Sequence, residues 1–286
     1  MSNGINKRQN EEKSIAYLAA QKQLYNDAKI MNGLIVIISV ILPFLFSFIK
    51  GNSNIENLLY VLSALSLFIS FVFNGYIKNN KKDAAYMQLK FDIYVYQMPW
   101  DKRLFGKEKN VSDEVSKKSR KILKIKKKKD KLTNWYENIM KMDNIELNEG
   151  ILVCQKENVS WDIGLRKRYK MLSVILIIIF IIINFSIGII WNEPVIRLFF
   201  RISFVLPILK WMLDNIRQLN EDISNLKELN ELLNSKDKKN MDELQEIEYK
   251  IYNHRKSCYI IPNFFYNIFK NNDKDRVHQM ADFSNL

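Results

Sequence analysis

Two arginines stand one helical turn apart inside an apolar stretch of chain that is long enough to cross a membrane. Arg197 and Arg201 fall within residues 194–213, and side chains four positions apart share one face of a helix. A charge near the centre of a membrane helix costs about 2.5–3.5 kcal/mol. For Arg197 two interpretations stay open, a guanidinium that reaches the outer headgroups and one that faces the bundle interior. For Arg201, deeper in the span, we expect an interior or water-lined position.

A pore is the chemistry that such arginines suggest. A ring of them, contributed by several subunits, favours anions in a channel. Asn184, in the preceding apolar stretch, is a second polar side chain in the membrane region. A hydrogen bond between two helices explains Asn184 better than a place in a pore wall. We keep Asn184 with Arg197 and Arg201 as the predicted pore-lining residues.

Tryptophans close to basic residues form a second set, in the polar parts of the chain. Trp100 and Trp161 lie too far from any apolar stretch to be explained simply as a belt at the membrane surface. Arg166 and Arg168 follow Trp161 within two helical turns. Such residues either form a small helical core or offer faces on which bases stack while arginines hold phosphates. As a hypothesis, Trp100, Trp161, Arg166 and Arg168 bind a nucleotide.

A polybasic segment, residues 117–131, carries ten basic side chains and one acid, Asp130. Three interpretations compete: a solvated and partly disordered loop, attraction to the anionic inner leaflet, and contact with a phosphate-rich ligand. Each lysine or arginine near an anionic leaflet contributes about 1 kcal/mol of binding free energy. The run has no interleaved aromatic residue, which argues against a stacking platform for single-stranded nucleic acid.

The sequence contains no recognisable catalytic arrangement. It has no glycine-rich phosphate loop, no nucleophile elbow and no histidine placed by its context as a base. His254, His278, Cys154 and Cys258 are too scattered to give a metal-ligand spacing. We therefore expect no catalytic residues, no metal, no cofactor and no enzyme activity.

Four apolar stretches of about 20 residues must position these side chains, and they come in two close pairs. They are residues 31–49, 57–77, 171–192 and 194–213. A helix of about 20 residues crosses a hydrocarbon core of about 30 Å. The link within each pair is too short for anything but an antiparallel hairpin. The expected fold is an all-α membrane protein with four transmembrane helices in two hairpins and a cytosolic helical domain.

Basic residues flank these stretches mainly on one side. They precede the first and third stretches and follow the second and fourth, while the two short links hold only Lys50. The positive-inside rule then predicts a multi-pass membrane protein with both termini in the cytoplasm. The net charge of +13 is weaker evidence for a partner, because the lysine-, isoleucine- and asparagine-rich composition is also what an AT-rich genome produces.

The polar parts are predicted to be helical. In the tail, one apolar seam has a spacing of three or four residues, residues 235–240 break it, and a second seam follows. The first seam is Leu213, Ile216, Leu219, Ile223, Leu226, Leu229 and Leu233, and the second is Met241, Leu244, Ile247 and Ile251. The predicted organisation is an N-terminal amphipathic helix (1–30), hairpin 1 (31–77), a cytosolic middle segment with the polybasic stretch (78–170), hairpin 2 (171–213) and a cytosolic helical tail (214–286).

Several short motifs along nearly the whole chain share one resemblance. In chain order they are Gln9-Asn10-Glu11, Leu18-Ala19-Ala20-Gln21, Phe91-Asp92, Met98-Pro99-Trp100, Trp135-Tyr136, Cys154-Gln155-Lys156-Glu157-Asn158, Trp161-Asp162, Leu165-Arg166-Lys167-Arg168-Tyr169, His254-Arg255 and Phe265-Tyr266. In these motifs the chain resembles the SMODS-associated four-transmembrane effectors, the S-4TM family of pore-forming proteins of CBASS-type anti-phage systems. It departs from the family at Ser160, where a second tryptophan is expected, and in the arginines of the fourth span.

The resemblance implies an effector role. In such systems a partner nucleotidyltransferase senses infection and makes a cyclic or linear oligonucleotide, and this messenger triggers the effector. We therefore expect a membrane effector that responds to a cyclic oligonucleotide by forming a homo-oligomer and a pore that disrupts the lipid bilayer. The alternative is a non-pore membrane scaffold that binds acidic lipid or nucleic acid through residues 117–131.

Overall fold

The computed structural model describes residues 3–41, 53–141, 144–190, 192, 195–235 and 239–265, and within these ranges every regular element is a helix. Two short 3-10 helices, Asp130–Leu132 and Asn138–Lys141, precede the second half of the chain, and a π-helical stretch, Ile37–Ile41, continues the second helix. The α-helices are α1 (Ile5–Gln9), α2 (Glu12–Val36), α3 (Ser53–Tyr96), α4 (Lys102–Phe105), α5 (Ser112–Leu123), α6 (Lys126–Lys129), α7 (Leu147–Ile190), α8 (Val195–Asn234) and α9 (Met241–Ser257).

Helices α3, α7 and α8 each join a predicted membrane span to a polar segment without a break. Two of them have 44 residues and α8 has 40. At about 1.5 Å per residue they are roughly 60–66 Å long, about twice the thickness of a hydrocarbon core. One half of each helix is therefore long enough for the bilayer while the other half remains in the polar part of the protein.

Helix α7 is the one helix in the described part of the chain that is long and apolar enough to cross a membrane, judged by length and composition. Its large apolar side chains are exposed at neighbouring positions, including Ile175, Leu176, Ile178 and Ile179, and so do not form a one-sided stripe. A helix that is apolar on all sides and exposed fits lipid better than water. Four spans were predicted, and this finding supports one of them. The arrangement of four spans therefore stays a prediction.

Part of that prediction falls on residues that are not described. Residues 42–49 of the first predicted span lie outside the described ranges. In the fourth predicted span the backbone of residues 195–208 is helical, but the side chains of these residues are not described. The predicted link between the first two spans, residues 50–56, is likewise described only from residue 53 onward.

The polar halves of the long helices form one hydrophobic core with α2, α5 and α9. Helix α2 packs along α3 and α5, α7 packs along α8, and α9 packs against α3, α7 and α8. Aromatic rings fill the centre: Tyr136 is fully buried and stacks on Phe91 and Tyr96, with ring centroids 5.9 and 5.7 Å apart. Each large side chain buried in this way contributes about 1.5–3 kcal/mol to folding.

The tail follows its sequence pattern. Helix α8 ends at Asn234 and α9 begins at Met241, which confirms the predicted break. The side chain of Asn240 accepts a hydrogen bond from Glu243 N at 2.9 Å, and the Glu243 carboxylate accepts one from Asn240 N at 3.0 Å, so a capping box starts α9. Residues of both seams are buried: Leu219, Ile223, Leu226, Leu229, Leu233, Leu244, Ile247 and Ile251.

Two predicted seam residues are not part of the core, since Ile216 is only half-buried and Leu213 is exposed. Leu213 is 58% exposed. It lies at the end of the predicted fourth span, where lipid rather than protein can cover an apolar side chain. The core face of α8 therefore begins later than the periodicity alone suggests.

The N-terminal helix, the middle segment and the tail contact one another directly. Gln21 Nε2 donates to Gln88 Oε1 at 2.8 Å, which joins α2 to α3. Tyr25 OH donates to the carbonyl oxygen of Arg255 at 3.4 Å, which joins α2 to α9. Three segments that are separated in sequence by predicted membrane spans thus form one folded unit. We call this unit, made of the N-terminal helix, the middle segment and the tail, the polar unit.

Candidate functional site

Arg166 occupies the centre of a buried ionic network in which α7, α8 and α9 meet. Its side chain is 5% exposed. Nη1 donates to Asp222 Oδ2 at 2.7 Å, and Nε lies 3.0 Å from Asp162 Oδ1, one helical turn earlier on α7. Nη1 also donates to the carbonyl oxygen of Tyr259 at 3.2 Å. A single guanidinium therefore ties together two long helices and the segment that follows α9.

The carboxylates of this network have further partners. Asp222 Oδ2 accepts from Tyr259 N at 2.8 Å, and Asp222 Oδ1 accepts from Gln218 Nε2 at 3.1 Å. His254 Nε2 lies 3.0 Å from Asp162 Oδ2. Because Tyr259 follows α9 and binds a residue three turns before the end of α8, helices α8 and α9 run in opposite directions, as a hairpin.

Neighbouring opposite charges keep Asp162 and Arg166 ionised despite their burial. Desolvation alone would raise the pKa of Asp162, but Arg166 and His254 outweigh it and hold that pKa below its ordinary value. Desolvation likewise disfavours charged Arg166, yet the negative groups around it, Asp162 first, raise its pKa above the ordinary value. Arg166 and Asp162 are therefore charged whenever the protein is folded near neutral pH.

A second buried network joins α3 to α9. Arg255 Nη1 donates to Asp92 Oδ2 and lies 3.5 Å from Glu248 Oε1. The hydroxyl of Tyr136 donates to Asp92 Oδ1 and accepts from Tyr96 OH at 2.7 Å. All five residues are buried. These bonds hold the polar end of α3 against α9 of the tail.

Glu248 is the group in this second network that is least suited to carry a charge. Burial, together with the neighbouring carboxylate of Asp92, raises the pKa of Glu248 to about 8. Gln155 Nε2 donates to Glu248 Oε2 at 3.1 Å and to the carbonyl oxygen of Leu244 at 3.0 Å. Near neutral pH Glu248 is therefore largely protonated.

The structure does not bring the four predicted nucleotide-binding residues into one site. Arg166 lies in the core, where Nε and Nη1 are directed at carboxylates, so a phosphate would have to displace Asp162 or Asp222 to reach them. Arg168, two residues further along α7, is half-buried. That these residues bind a nucleotide remains a prediction, and in the conformation described here Arg166 serves to hold helices together.

The two tryptophans belong to different clusters. Trp161 packs against the small cluster of Leu165, Ile261 and Phe265, which joins α7 to the residues that follow α9. Trp100 packs against the main core, with its ring centroid 5.4 Å from that of Phe105, and its Nε1 donates to the carbonyl oxygen of Gly106 at 2.8 Å. Lys90 Nζ lies 5.3 Å from the centroid of the Trp100 ring.

The predicted pore-lining residues cannot be located in the same detail. Asn184 lies in α7, and Arg197 and Arg201 lie in α8. Their side chains are outside the part of the protein that the structure describes. Their place in a pore wall therefore stays a prediction.

The polybasic segment is largely helical, unlike the loop considered as one interpretation of the sequence. Residues 112–123 form α5, which packs along α2, and Lys118 Nζ lies 2.9 Å from Asp27 Oδ2. The four lysines of α6 are exposed, and the neighbouring Ile125 is 44% exposed. Since Asp27 precedes the first predicted span by only four residues, Lys118 lies about one helical turn from the predicted membrane boundary.

Comparison with known protein families decides the identity of the chain. The profile of the SMODS-associating 4TM effector domain matches residues 3–283. The chain belongs to this family. The effector is also similar to a protein of Bacillus cereus (strain VD146) named a probable CBASS effector molecule, with 23% identity over 295 residues that cover 96% of this chain and 95% of the relative. No solved structure matches the chain.

Family membership, predicted from the resemblance of the motifs, is thus confirmed. It makes the protein a membrane-associated effector of anti-phage defence. Several residues that carried the resemblance are members of the two buried networks of this effector: Asp92, Gln155, Asp162, Arg166, His254 and Arg255. The acids Asp222 and Glu248, which complete the networks, were not identified from the sequence.

Proposed function

We propose that this effector converts a nucleotide messenger, made by a partner nucleotidyltransferase during infection, into a breach of the bacterial inner membrane. The observation that carries the proposal is the Arg166–Asp222 ion pair between α7 and α8. These helices continue without a break into the third and fourth predicted spans. A change in the polar unit that alters this contact must also alter how the two spans are arranged.

The messenger acts by its different affinity for two states of the effector. A ligand moves an equilibrium only by the difference in its binding free energy between the two states. Here the closed state is the packed arrangement with both ionic networks intact. Binding to the polar unit favours a second arrangement in which copies of the effector associate through their apolar helices and open a pore.

The contacts between the polar segments support the predicted topology. Asp92 of the middle segment binds Arg255 of the tail, and Gln21 of the N-terminal helix binds Gln88. Segments that touch one another lie on the same side of a bilayer. Combined with the distribution of basic residues, this favours four crossings with both termini and the middle segment in the cytoplasm.

Oligomerisation follows from the size of a single bundle. Four helices packed together leave no aqueous channel at their centre, so a pore requires several copies. In such a homo-oligomer Asn184, Arg197 and Arg201 are the proposed pore-lining residues. An arginine ring would make the open pore favour anions.

Leakage from infected cells tests the proposal. Cells that carry the effector together with the partner nucleotidyltransferase of this proposal are infected in the presence of propidium iodide. The proposal predicts dye entry before phage-induced lysis, and no entry when the catalytic carboxylates of the nucleotidyltransferase are replaced. Infected cells that stop phage growth without admitting dye or losing potassium would contradict pore formation.

The exposed lysines of α6, together with exposed Ile125, favour a second candidate function. A membrane scaffold could use this surface, hereafter the α6 surface, to bind acidic lipid or nucleic acid without opening a pore. Liposomes that contain the purified protein separate the two functions. A scaffold sequesters anionic lipid or nucleic acid and retains entrapped dye, whereas the proposed effector releases the dye after activation.

A further inference from the structure

A groove between α3 and the C-terminal end of α9 has the lining of an anion site. It has a volume of about 580 Å³ and is lined by Lys78, Lys81, Asn253, Lys256 and Ser257. Three ammonium groups, one amide and one hydroxyl thus face one space, and no acidic side chain is part of the lining. A lining of this kind suits a phosphate group, because every polar side chain in it carries a hydrogen-bond donor.

Two lysines of the groove, Lys81 and Lys256, contact only neutral groups among the described residues. Lys81 Nζ donates to the carbonyl oxygen of Ser257 at 3.0 Å. Lys256 Nζ donates to Asn253 Oδ1 at 3.1 Å and lies 4.7 Å from the centroid of the Tyr252 ring. Neither contact neutralises a lysine. Among the described residues, no carboxylate forms a direct ion pair with the lysines of the groove, so an entering anion would not have to displace one.

Lys81 is a half-buried lysine of the groove. Burial lowers the pKa of Lys81. An ammonium that has lost part of its hydration gains more from a phosphate partner than one on an open surface, since the local dielectric is lower. The groove is open at Lys78, which is exposed.

The position of the groove in the fold limits where its ligand comes from. Lys78 directly follows Ile77, which is buried against Ala28 and Ile260 and ends the second predicted span. The groove therefore lies at the predicted boundary between bilayer and cytoplasm. A phosphate there belongs either to a lipid headgroup of the inner leaflet or to a soluble nucleotide.

From these observations we propose that Lys78, Lys81 and Lys256 bind a phosphate group that bridges the end of the second predicted span to the tail helix α9. The ligand holds α9 against α3 and so stabilises the arrangement in which α9 also carries Arg255 and His254 into the two ionic networks. The nucleotide source rests on the proposed function, whereas the lipid source does not.

Thermal unfolding of the purified full-length protein in detergent tests the proposal. Dioctanoyl phosphatidylglycerol is added in one arm and a panel of synthetic cyclic di- and trinucleotides in the other. We expect a concentration-dependent rise in Tm with one class of probe. In the double variant Lys78→Gln, Lys256→Gln, we expect that probe to bind about tenfold or more weaker for each lysine replaced.

A matched control variant distinguishes binding in the groove from nonspecific attraction of the probe to positive charge. Lys82→Gln, Lys250→Gln removes two exposed lysines from the same two helices, outside the groove. This control should keep wild-type affinity for the probe, and all three proteins should have similar Tm without ligand. A response to the lipid alone identifies a headgroup site, and a response to a cyclic nucleotide identifies a messenger site.

The proposal is overturned if neither probe class raises Tm, or if the control and the groove variant lose affinity equally. Because leakage is not the measured quantity, failure here is distinct from failure of pore formation. If the groove binds lipid but the effector never causes leakage, the proposed phosphate site is supported and pore formation is contradicted.

Discussion

Arg166 Nη1 lies 2.7 Å from Asp222 Oδ2, and this pair joins the two helices that carry the third and fourth predicted spans. Both side chains are almost fully buried. A buried ion pair is weak evidence for net stability, because removing two charges from water offsets much of their attraction. Its role here is better described as positional, since the pair fixes how α7 and α8 are aligned next to the predicted spans.

Removing one partner of the Arg166–Asp222 pair should lower the stability of the protein. We expect Asp222→Asn to lower the free energy of unfolding by about 1.5–3 kcal/mol, because Arg166 then loses its charged partner on α8 and keeps only Asp162 on its own helix. Thermal or denaturant unfolding in detergent measures the change. The exposed pair Arg217–Glu221, with atoms 3.9 Å apart one turn before Asp222, supplies the control, and Glu221→Gln should have little effect. Equal effects of the two substitutions would contradict the structural role of Arg166.

The raised pKa of Glu248 gives a pH dependence with a definite sign. In the folded protein this carboxyl titrates at about 8, and in the unfolded chain near its ordinary value of 4.5. Between these values the folded state binds a proton that the unfolded state has lost, so stability falls as pH rises. The decrease is at most about 1.4 kcal/mol per pH unit and ends above the folded-state pKa.

Glu248→Gln should remove this decrease, because glutamine stays neutral at every pH. Unfolding measured from about pH 5 to about pH 8 gives the slope for wild type and variant. Glu246→Gln, on the exposed face of the same helix, is the control and should keep the wild-type slope. A wild-type slope that persists in Glu248→Gln would show that another group is responsible.

The α6 surface should respond to anionic lipid. With a polarity-sensitive fluorophore on Ile125→Cys, we expect a blue shift in vesicles that contain phosphatidylglycerol and a smaller shift at high salt, because each exposed lysine contributes about 1 kcal/mol. Replacing Lys126–Lys129 by glutamine should abolish the shift without changing the unfolding temperature, since these side chains are exposed. A shift that survives this replacement would contradict an electrostatic contact.

Cysteine labelling tests the topology. The native Cys154 and Cys258 are buried with free thiols and are replaced by alanine to give a background without labelling. We expect Lys127→Cys to react with a membrane-impermeant maleimide only after lysis, because α6 is predicted to lie in the cytoplasm. Asn54→Cys, in the predicted link between the first two spans, should react in intact cells. The reverse pattern would place the polar unit outside the cell.

Periodicity was a sufficient guide to several parts of the fold. The spacing of Leu219, Ile223 and Leu226 identified the buried face of α8, because a helix returns to the same face every three or four residues. The break before α9 was also predictable, since Ser235–Asn240 interrupts that spacing, and Asn240 with Glu243 has the pattern of a capping box.

The partners of the charged residues were not predictable in the same way. Asp92 and Arg255 are 163 positions apart, and periodicity shows which face is buried but not which distant element covers it. For the same reason the sequence could not distinguish a buried Arg166 from one that is free to bind phosphate. A usable signal was present, because Asp222 and Glu248 are acids that lie on otherwise apolar seams.

Release of dye from liposomes that contain the purified full-length effector tests the central claim most directly. The liposomes receive the small-molecule fraction of infected cells that carry the proposed partner nucleotidyltransferase. Our account predicts rapid release with this fraction, and none after the fraction is treated with a phosphodiesterase or prepared from cells with an inactive nucleotidyltransferase. Full retention of the dye with the active fraction, by protein shown to be folded, would contradict the account.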